Sequence, residues 1–480
     1  MKIFALIILQ LSGIQASLIS KIKSFEQKPE IQHGIVAAAI QNTSTGTYLL
    51  EYNADKSVNS ASTLKLITTA YMHLSYGSDF QYKTTVSYSG DIKNNVLEGD
   101  IIIDPSGDPS FGSFRYDYPA GKVLSKTTSA IKNLGITAIN GQIKVSDKRI
   151  QMADVPDSWI WGDMGNYYGA APQNFNFNEN LFTVYFNSGP TLDSPAGIQG
   201  LDPYDKNLSI INHVTTGPSG SGDNVYIYTA PYSETVIMKG TIPYGARSFA
   251  VKGALMNPSN VFIQQLSDEL KKNGISLMQN ASKSPFTEIE ESPISGWHPL
   301  CYFEAPPLKS LMKDCNYESI NLYADAFLLK AASKENSSLL TFAESLDAEK
   351  DFWESRGVDI SGFNPKDGSG LSMGGIITPK NMCDILSHVS KTPDFLDYLD
   401  TIAKYGEGGT VKNKDRNNIT QGRVYTKSGS ISGTRAYAGY FYDKTGELYT
   451  YMFCVNRYDS GATRLVRAFL DDVILTMASK

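Results

Sequence analysis

Apolar and polar residues alternate in three textures along this chain. The first stretch, GIVAAAIQNTSTGTYLLEYN from Gly34 to Asn53, reads as two strands around a turn at Asn42 to Gly46. SASTLKLITTAYMHLSYG follows, with Leu64, Ile67, Ala70 and Tyr71 at helical spacing and Ser60 or Ser62 in the N-cap position. From about Phe80 to Pro293 the segments shorten and alternate, as in YKTTVSYSG, GDIIIDPSGDPSF and NGQIKVSDKRI. Gly, Pro, Asn and Asp punctuate them, which predicts mostly β structure. A helix at NPSNVFIQQLSDELKKNGI closes this region, with Gly274 as its stop. After Pro299 helical periodicity returns in PPLKSLMKDCNYESINLYADAFLLKAAS and TPKNMCDILSHVS, and three strands and an amphipathic helix end the chain.

The N-terminal hairpin and the C-terminal three strands are each too small to stand alone. The economical fold is α+β: one antiparallel sheet built from both ends of the chain, helices on its faces, and the β-rich middle inserted. The expected boundaries are a catalytic domain of residues 17–85 and 294–480, split by an inserted region of residues 86–293 that holds two nested domains.

Composition narrows the function. The net charge is −6 with both signs mixed throughout, so no nucleic-acid surface is expected. Lys2, the apolar run Ile3 to Leu9 and the small residue Ala16 have the anatomy of a secretory signal peptide over residues 1–16. That run is far shorter than the ~20 residues needed to span a bilayer, so no stable membrane anchor is expected, and the protein is read as exported, periplasmic or extracellular. The cysteines Cys301, Cys315, Cys383 and Cys454 lack C-x-x-C spacing; Cys301 and Cys315 could pair after export or remain thiols. His33, His73, His213, His298 and His388 are scattered without metal-ligand spacing. A mechanism with no metal, no cofactor and no histidine is expected.

Ser62-Thr63-Leu64-Lys65 is an S-x-x-K pattern. At i and i+3 on a helix the two side chains share a face, roughly 5–6 Å apart at Cβ. A lysine there can take the serine proton if burial or nearby positive charge lowers its pKa. The same spacing recurs at Ser20-Lys23, Ser129-Lys132 and Ser310-Lys313, so context must choose, and it favours Ser62 at the start of an apolar helix after the hairpin. Ser319-Ile320-Asn321 supplies S-x-N between two helical runs; Ser57-Val58-Asn59 also fits. Gly370-Leu371-Ser372-Met373-Gly374 matches the G-x-S-x-G elbow of α/β hydrolases, yet its polar, turn-rich flank DISGFNPKDGSG marks a loop.

Two Lys-hydroxyl-Gly tripeptides occur near the end. Lys444-Thr445-Gly446 sits in DKTG between two strands, where Asp and Gly suit a tight turn and Lys444 would be solvated. Lys427-Ser428-Gly429 lies within RVYTKSGSIS, whose Val424, Thr426 and Ile431 favour a strand. An edge strand of this kind can pair with an extended substrate, and Gly429 would let backbone come close.

S-x-x-K, S-x-N and K-[ST]-G in this order are the set shared by penicillin-binding proteins and serine β-lactamases. The chain resembles the class C low-molecular-mass penicillin-binding proteins, the D-alanyl-D-alanine carboxypeptidase/endopeptidase family. The likeness extends along SASTLKLITTA, GDIIIDPSGDPSF, WIWGDMGNYYGA, ESINLYADAFL, DGSGLS and YTKSGSISGTRAYAGY. It implies a penicillin-binding/β-lactamase-like transpeptidase domain with insertions. Ser62 would be the nucleophile and Lys65 its base, Ser319 and Lys427 the proton relay, and Asn321 a substrate anchor. Ser428 and Ser430 would bind the terminal carboxylate beside Gly429, with the N–H groups of Ser62 and Ser430 as oxyanion hole. Asp163, in a segment implied to overhang the cleft, would meet an amine of the stem peptide. Ser428 stands where threonine is usual, and Ile320 where an acidic residue is often seen. The implied activity is a serine DD-carboxypeptidase/endopeptidase on peptidoglycan stem peptides, with β-lactams as covalent inhibitors. The rivals are a β-lactamase or esterase of the same fold and a catalytically dead wall-binding scaffold.

Overall fold

A computed structural model describes residues 2–146, 155–231, 233–278, 296–334 and 341–479, with side chains from residue 13 onward. The chain forms two compact units, Met1–Phe80 with Pro307–Lys480, and Gln81–Pro306. The crossing points thus differ from the expected 85 and 294. Strands Lys83–Tyr88 and His298–Glu304 pair antiparallel with each other, which draws both flanks of the insertion into the second unit.

In the first unit both chain ends meet in one sheet. Strands β1 (Ile35–Asn42), β2 (Tyr48–Tyr52), β3 (Val424–Ile431), β4 (Thr434–Tyr442) and β5 (Leu448–Asn456) lie in the order β3-β4-β5-β1-β2. Every pair is antiparallel, with Ala38 opposite Phe453 and Lys427 opposite Ala438. β1 is buried on both faces, and side-chain size tells the faces apart. Val36, Ala38 and Ile40 join the larger core under helix α1 (Lys2–Glu26) and the C-terminal helix Thr463–Ser479. Ala39 meets Cys383 on the other face, where only a small residue leaves room for the helix Pro379–Val389. β3 is an edge strand: among the described residues no strand lies beyond it, although the Val424 carbonyl accepts from Tyr405 N and Thr426 N donates to the Ala403 carbonyl, each at 2.8 Å.

Helix α1 runs without a break through Ala16. Leu18, Ile22 and Phe25 are buried, and Phe25 stacks on Phe469 at 3.9 Å between ring centroids. Among the described residues no helix is long and apolar enough to cross a membrane.

The second unit is mostly β. Among the described residues, two four-stranded sheets are built on Lys83–Tyr88 and on Val96–Glu98, with helices Ala120–Asn133 and Pro258–Lys272. Two three-stranded sheets are centred on Leu181–Asn187 and Thr235–Pro243. One apolar cluster runs through all four, from Val86 and Leu97 to Val184 and Met238. Cys301 lies in this unit and Cys315 in the other; both are free thiols, as are Cys383 and Cys454.

Candidate active site

The expected helix start at Ser62 is more elaborate. A 3-10 turn, Ala61–Leu64, precedes helix α2 (Lys65–Tyr76), and neither Ser60 nor Ser62 caps it through its side chain. Asn59 does this work: its Oδ1 accepts from the Ala61 N–H at 2.8 Å. Its own N–H donates to Asn456 Oδ1 at 2.7 Å, and its Nδ2 to the carbonyls of Ser372 and Gly375, each at 2.9 Å. The turn carrying the serine is therefore tied to β5 and to the Ser372 loop. Ala61 holds a left-handed φ of 45°, strain that a non-glycine residue bears only where its surroundings fix it.

Lys65 is fully buried at the start of α2. Its Nζ lies 3.1 Å from Ser62 Oγ, 2.6 Å from Asn321 Oδ1 and 2.7 Å from the Ser369 carbonyl oxygen. Burial pushes the lysine pKa below its ordinary value, while the neighbouring Cys315, Asp325 and Asp367 pull the other way. A neutral amine has two N–H donors and one lone pair. Asn321 and Ser369 take up the donors, so the lone pair is left for the serine hydroxyl.

Asn321 opens helix α4 (Asn321–Ala332), directly after α3 (Leu308–Glu318). Ser319 breaks the helical run with φ 60° and ψ 41°, again left-handed in a non-glycine residue. Its Oγ accepts from Lys427 Nζ at 2.9 Å, and Lys427 also donates to the Ser428 carbonyl at 2.9 Å. Lys427 is 1 % exposed, and burial followed by the charge of Lys65 holds its pKa well below the lysine range. Gly429, two residues along β3, lies against the serine turn: a Cβ there would meet the Ser60 carbonyl oxygen at 2.5 Å and Ser62 N at 3.1 Å. Ser428 is half-buried and Ser430 exposed on the same edge strand.

The structure thus gathers Ser62, Lys65 and Asn321 in one hydrogen-bonded group and Ser319 with Lys427 in another. Gly429 joins the strand to the Ser62 turn. The comparisons with known proteins fit this geometry. The sequence profile described as the D-Ala-D-Ala carboxypeptidase 3 (S13) family matches residues 18–476. The chain belongs to that family.

Among its relatives is the D-alanyl-D-alanine carboxypeptidase DacB of Haemophilus influenzae, 23 % identical over 433 residues, covering 88 % of this chain and 85 % of that one. Penicillin-sensitive carboxypeptidase A of Dictyostelium discoideum is 25 % identical over 441 residues, covering 85 % and 79 %. The crystal structure of penicillin binding protein 4 (dacB) from Haemophilus influenzae superposes with a TM-score of 0.78 at 21 % identity, over 96 % of this chain and 99 % of the other. That likeness establishes the α+β penicillin-binding fold.

Asp163 of this S13-family chain belongs to the second unit, on the short helix Trp161–Met164. Its Oδ1 accepts from Tyr168 OH at 3.3 Å, burial raises its pKa, and Trp161 and Tyr167 beside it are exposed.

Sequence reading missed the wall behind Lys65. The loop of the G-x-S-x-G match is no nucleophile elbow, since Ser372 is buried and its N–H donates to Asp367 Oδ2 at 2.6 Å. It nonetheless touches the Ser62 turn, because a Cβ on Gly370 would meet the Ala61 carbonyl oxygen at 2.0 Å. Asp367 also accepts from Gly370 N at 2.7 Å, and Asp325 from Gly368 N at 2.8 Å. The two buried carboxyls therefore hold the loop whose Ser369 carbonyl meets Lys65. Asp325 stands four residues after Asn321, one turn along the same helix face, which was the one available sequence signal.

Proposed function

We propose that this family member is an exported serine DD-peptidase of peptidoglycan that works through an acyl-enzyme on Ser62. The observation that carries the reading is the saturation of the Lys65 donors by Asn321 and Ser369, which leaves the amine lone pair to Ser62. Lys65 takes the hydroxyl proton as Ser62 Oγ attacks the carbonyl of the penultimate D-Ala. The N–H groups of Ser62 and Ser430 stabilise the oxyanion. The peptide C–N bond then breaks, and Ser319 with Lys427 relays a proton to the departing amine of the terminal D-Ala. Water attacks the ester, gives the shortened peptide and restores Ser62. Cleavage of a cross-link is the same reaction with a larger leaving group.

Ser428 and Ser430 would receive the terminal carboxylate, and Asp163 an amine on the stem peptide. β-Lactams, which present a carboxylate and a strained amide in this arrangement, would acylate Ser62. Export rests on Lys2, the apolar run to Leu9 and Ala16; cleavage after Ala16 would leave Leu18, Ile22 and Phe25 to pack as they do.

Intact-mass measurement after incubation with penicillin tests the reading. A stable adduct of one penicillin, absent in Ser62→Ala, together with D-Ala release from a D-Ala-D-Ala peptide by wild type alone, is the expected result. Rapid loss of the adduct with turnover of penicillin would point to a β-lactamase. No adduct and no D-Ala release would overturn the enzymatic reading.

A further inference from the structure

Ser428 departs from the usual threonine, and the structure holds a residue that offsets the loss. Serine has three staggered χ1 wells open to it, whereas the second branch on a threonine Cβ restricts χ1. A serine hydroxyl on an open edge strand therefore points in one direction only if something holds it. Thr410 Oγ1 stands 2.7 Å from Ser428 Oγ.

Thr410 is itself firmly placed. It lies on the 3-10 turn Gly409–Val411, packed on the end of α3: Cβ atoms on Gly408 and Gly409 would meet Tyr317 at 2.8 Å each. Gly406 N donates to the Val411 carbonyl at 3.0 Å, and Asn413 N to the Gly406 carbonyl at 2.9 Å, closing the loop on itself. Beyond the turn, Lys414 Nζ donates to Asp471 Oδ1 at 2.9 Å and to Tyr437 OH at 2.6 Å; Tyr405 OH donates to the same Asp471 oxygen at 2.7 Å. Both ends of the loop are thus tied to the sheet and the C-terminal helix. Thr410 is exposed, so its hydroxyl lies where a ligand can reach.

We propose that Thr410 is a positioning residue for the substrate carboxylate: its O–H donates to Ser428 Oγ, fixes that side chain, and frees the Ser428 O–H to donate to the carboxylate. A hydroxyl has one donor and two acceptor sites, so the chain Thr410 to Ser428 to carboxylate uses each group once. A donor that is itself accepting a hydrogen bond is the stronger donor. Restraint that threonine carries in its own Cβ branch is here supplied by a neighbouring loop. The inference rests on the assignment of Ser428 to the terminal carboxylate.

The test is a set of variants read as kcat and KM on a D-Ala-D-Ala peptide and on its C-terminal amide. Thr410→Val, which removes the hydroxyl and keeps the shape, is expected to lower kcat/KM for the carboxylate peptide roughly five- to tenfold through KM, the scale of one hydrogen bond, and to leave the amide unchanged. Thr410→Ser should retain wild-type values. Ser428→Thr should bring the Thr410→Val variant back toward the wild-type kcat/KM for the carboxylate peptide. Equal losses on both substrates, or no rescue by Ser428→Thr, would overturn the role of Thr410. Ser428→Ala separates the two readings: if it leaves preference for the carboxylate intact, the Ser428 assignment fails and Thr410 falls with it. If it abolishes that preference while Thr410→Val does not, only the Thr410 inference fails.

Discussion

Lys427-Ser428-Gly429 and Lys444-Thr445-Gly446 have nearly the same composition and opposite fates. The first lies in edge strand β3, where Lys427 is buried and bonded to Ser319. The second closes the β4–β5 hairpin. There Asp443 Oδ1 accepts from Thr445 N at 2.8 Å, Thr445 Oγ1 at 2.7 Å and Glu447 N at 3.0 Å. Its threonine hydroxyl is spent on the turn itself. Lys444 is exposed, but solvation alone does not describe it, because its Nζ donates to the Ser479 carbonyl at 2.8 Å near the end of the C-terminal helix. A lysine in a turn finds water and carbonyls, which suit its charged form. A lysine on a buried strand face loses water, which favours the neutral amine. Only the copy on the strand has a lysine that the backbone puts out of water, as the proposed proton relay requires.

The largest effect follows from that contrast. Lys427→Ala should slow acylation by penicillin about 10²–10⁴-fold, the usual contribution of a positioned proton-transfer group, while Lys444→Ala should remain within about twofold of wild type. Timed intact-mass measurements give both rates. Comparable losses in the two variants would break the distinction.

The pH dependence sharpens it. Burial lowers the pKa of Lys65, and burial with the Lys65 charge lowers that of Lys427 well below the ordinary value. Lowering an amine's pKa brings in its neutral form at lower pH. Acylation should therefore rise about tenfold per pH unit on its acidic limb and level off below pH ~10.4, the unperturbed lysine value. Lys444→Ala should leave the profile in place. A limb that keeps climbing to pH 10 would mean that neither buried lysine acts as a neutral base.

Legibility in sequence follows the same line between local and distant causes. The sheet built from both chain ends, the helix after Ser62 and the strand at Lys427 could be read because periodicity and turn chemistry are local. Spacing alone could not choose among four S-x-x-K copies. In the structure Lys23, Lys132 and Lys313 of the other three are exposed, and only Lys65 is buried, a difference made by residues hundreds of positions away. By sequence Asn59 is only a second S-x-N match, yet it ties the Ser62 turn to Asn456 and to the Ser372 loop. Asp325, Asp367 and Thr410 have no motif spacing to Ser62 at all. Their roles arise from where the chain brings them. The loop around Gly370 teaches the converse: the matched motif carried the wrong mechanism, yet the residues lie against the serine turn.

The two glycines give the smallest and most local contrast. Gly429 has no unusual backbone angle; its constraint is space, since any Cβ would run into the Ser60 carbonyl and the Ala61 Cβ, at 2.5 and 3.1 Å. The obstacle at Ser60 is backbone, so strand and Ser62 turn must separate. Misplacing a reacting group by an ångström costs up to about 10²-fold, so Gly429→Ala should lower kcat by roughly 10- to 100-fold. Gly446 has open space around it and a φ of +89°. Its constraint is conformational, and Gly446→Ala should cost about 1–2 kcal/mol of stability, read as a lower Tm, with acylation unchanged. The pair thus separates two reasons for a glycine after Lys-hydroxyl, one to admit the Ser62 turn and one to turn the chain. Full activity in Gly429→Ala would mean that β3 need not press on the Ser62 turn, and the strand copy would lose its structural claim over the turn copy.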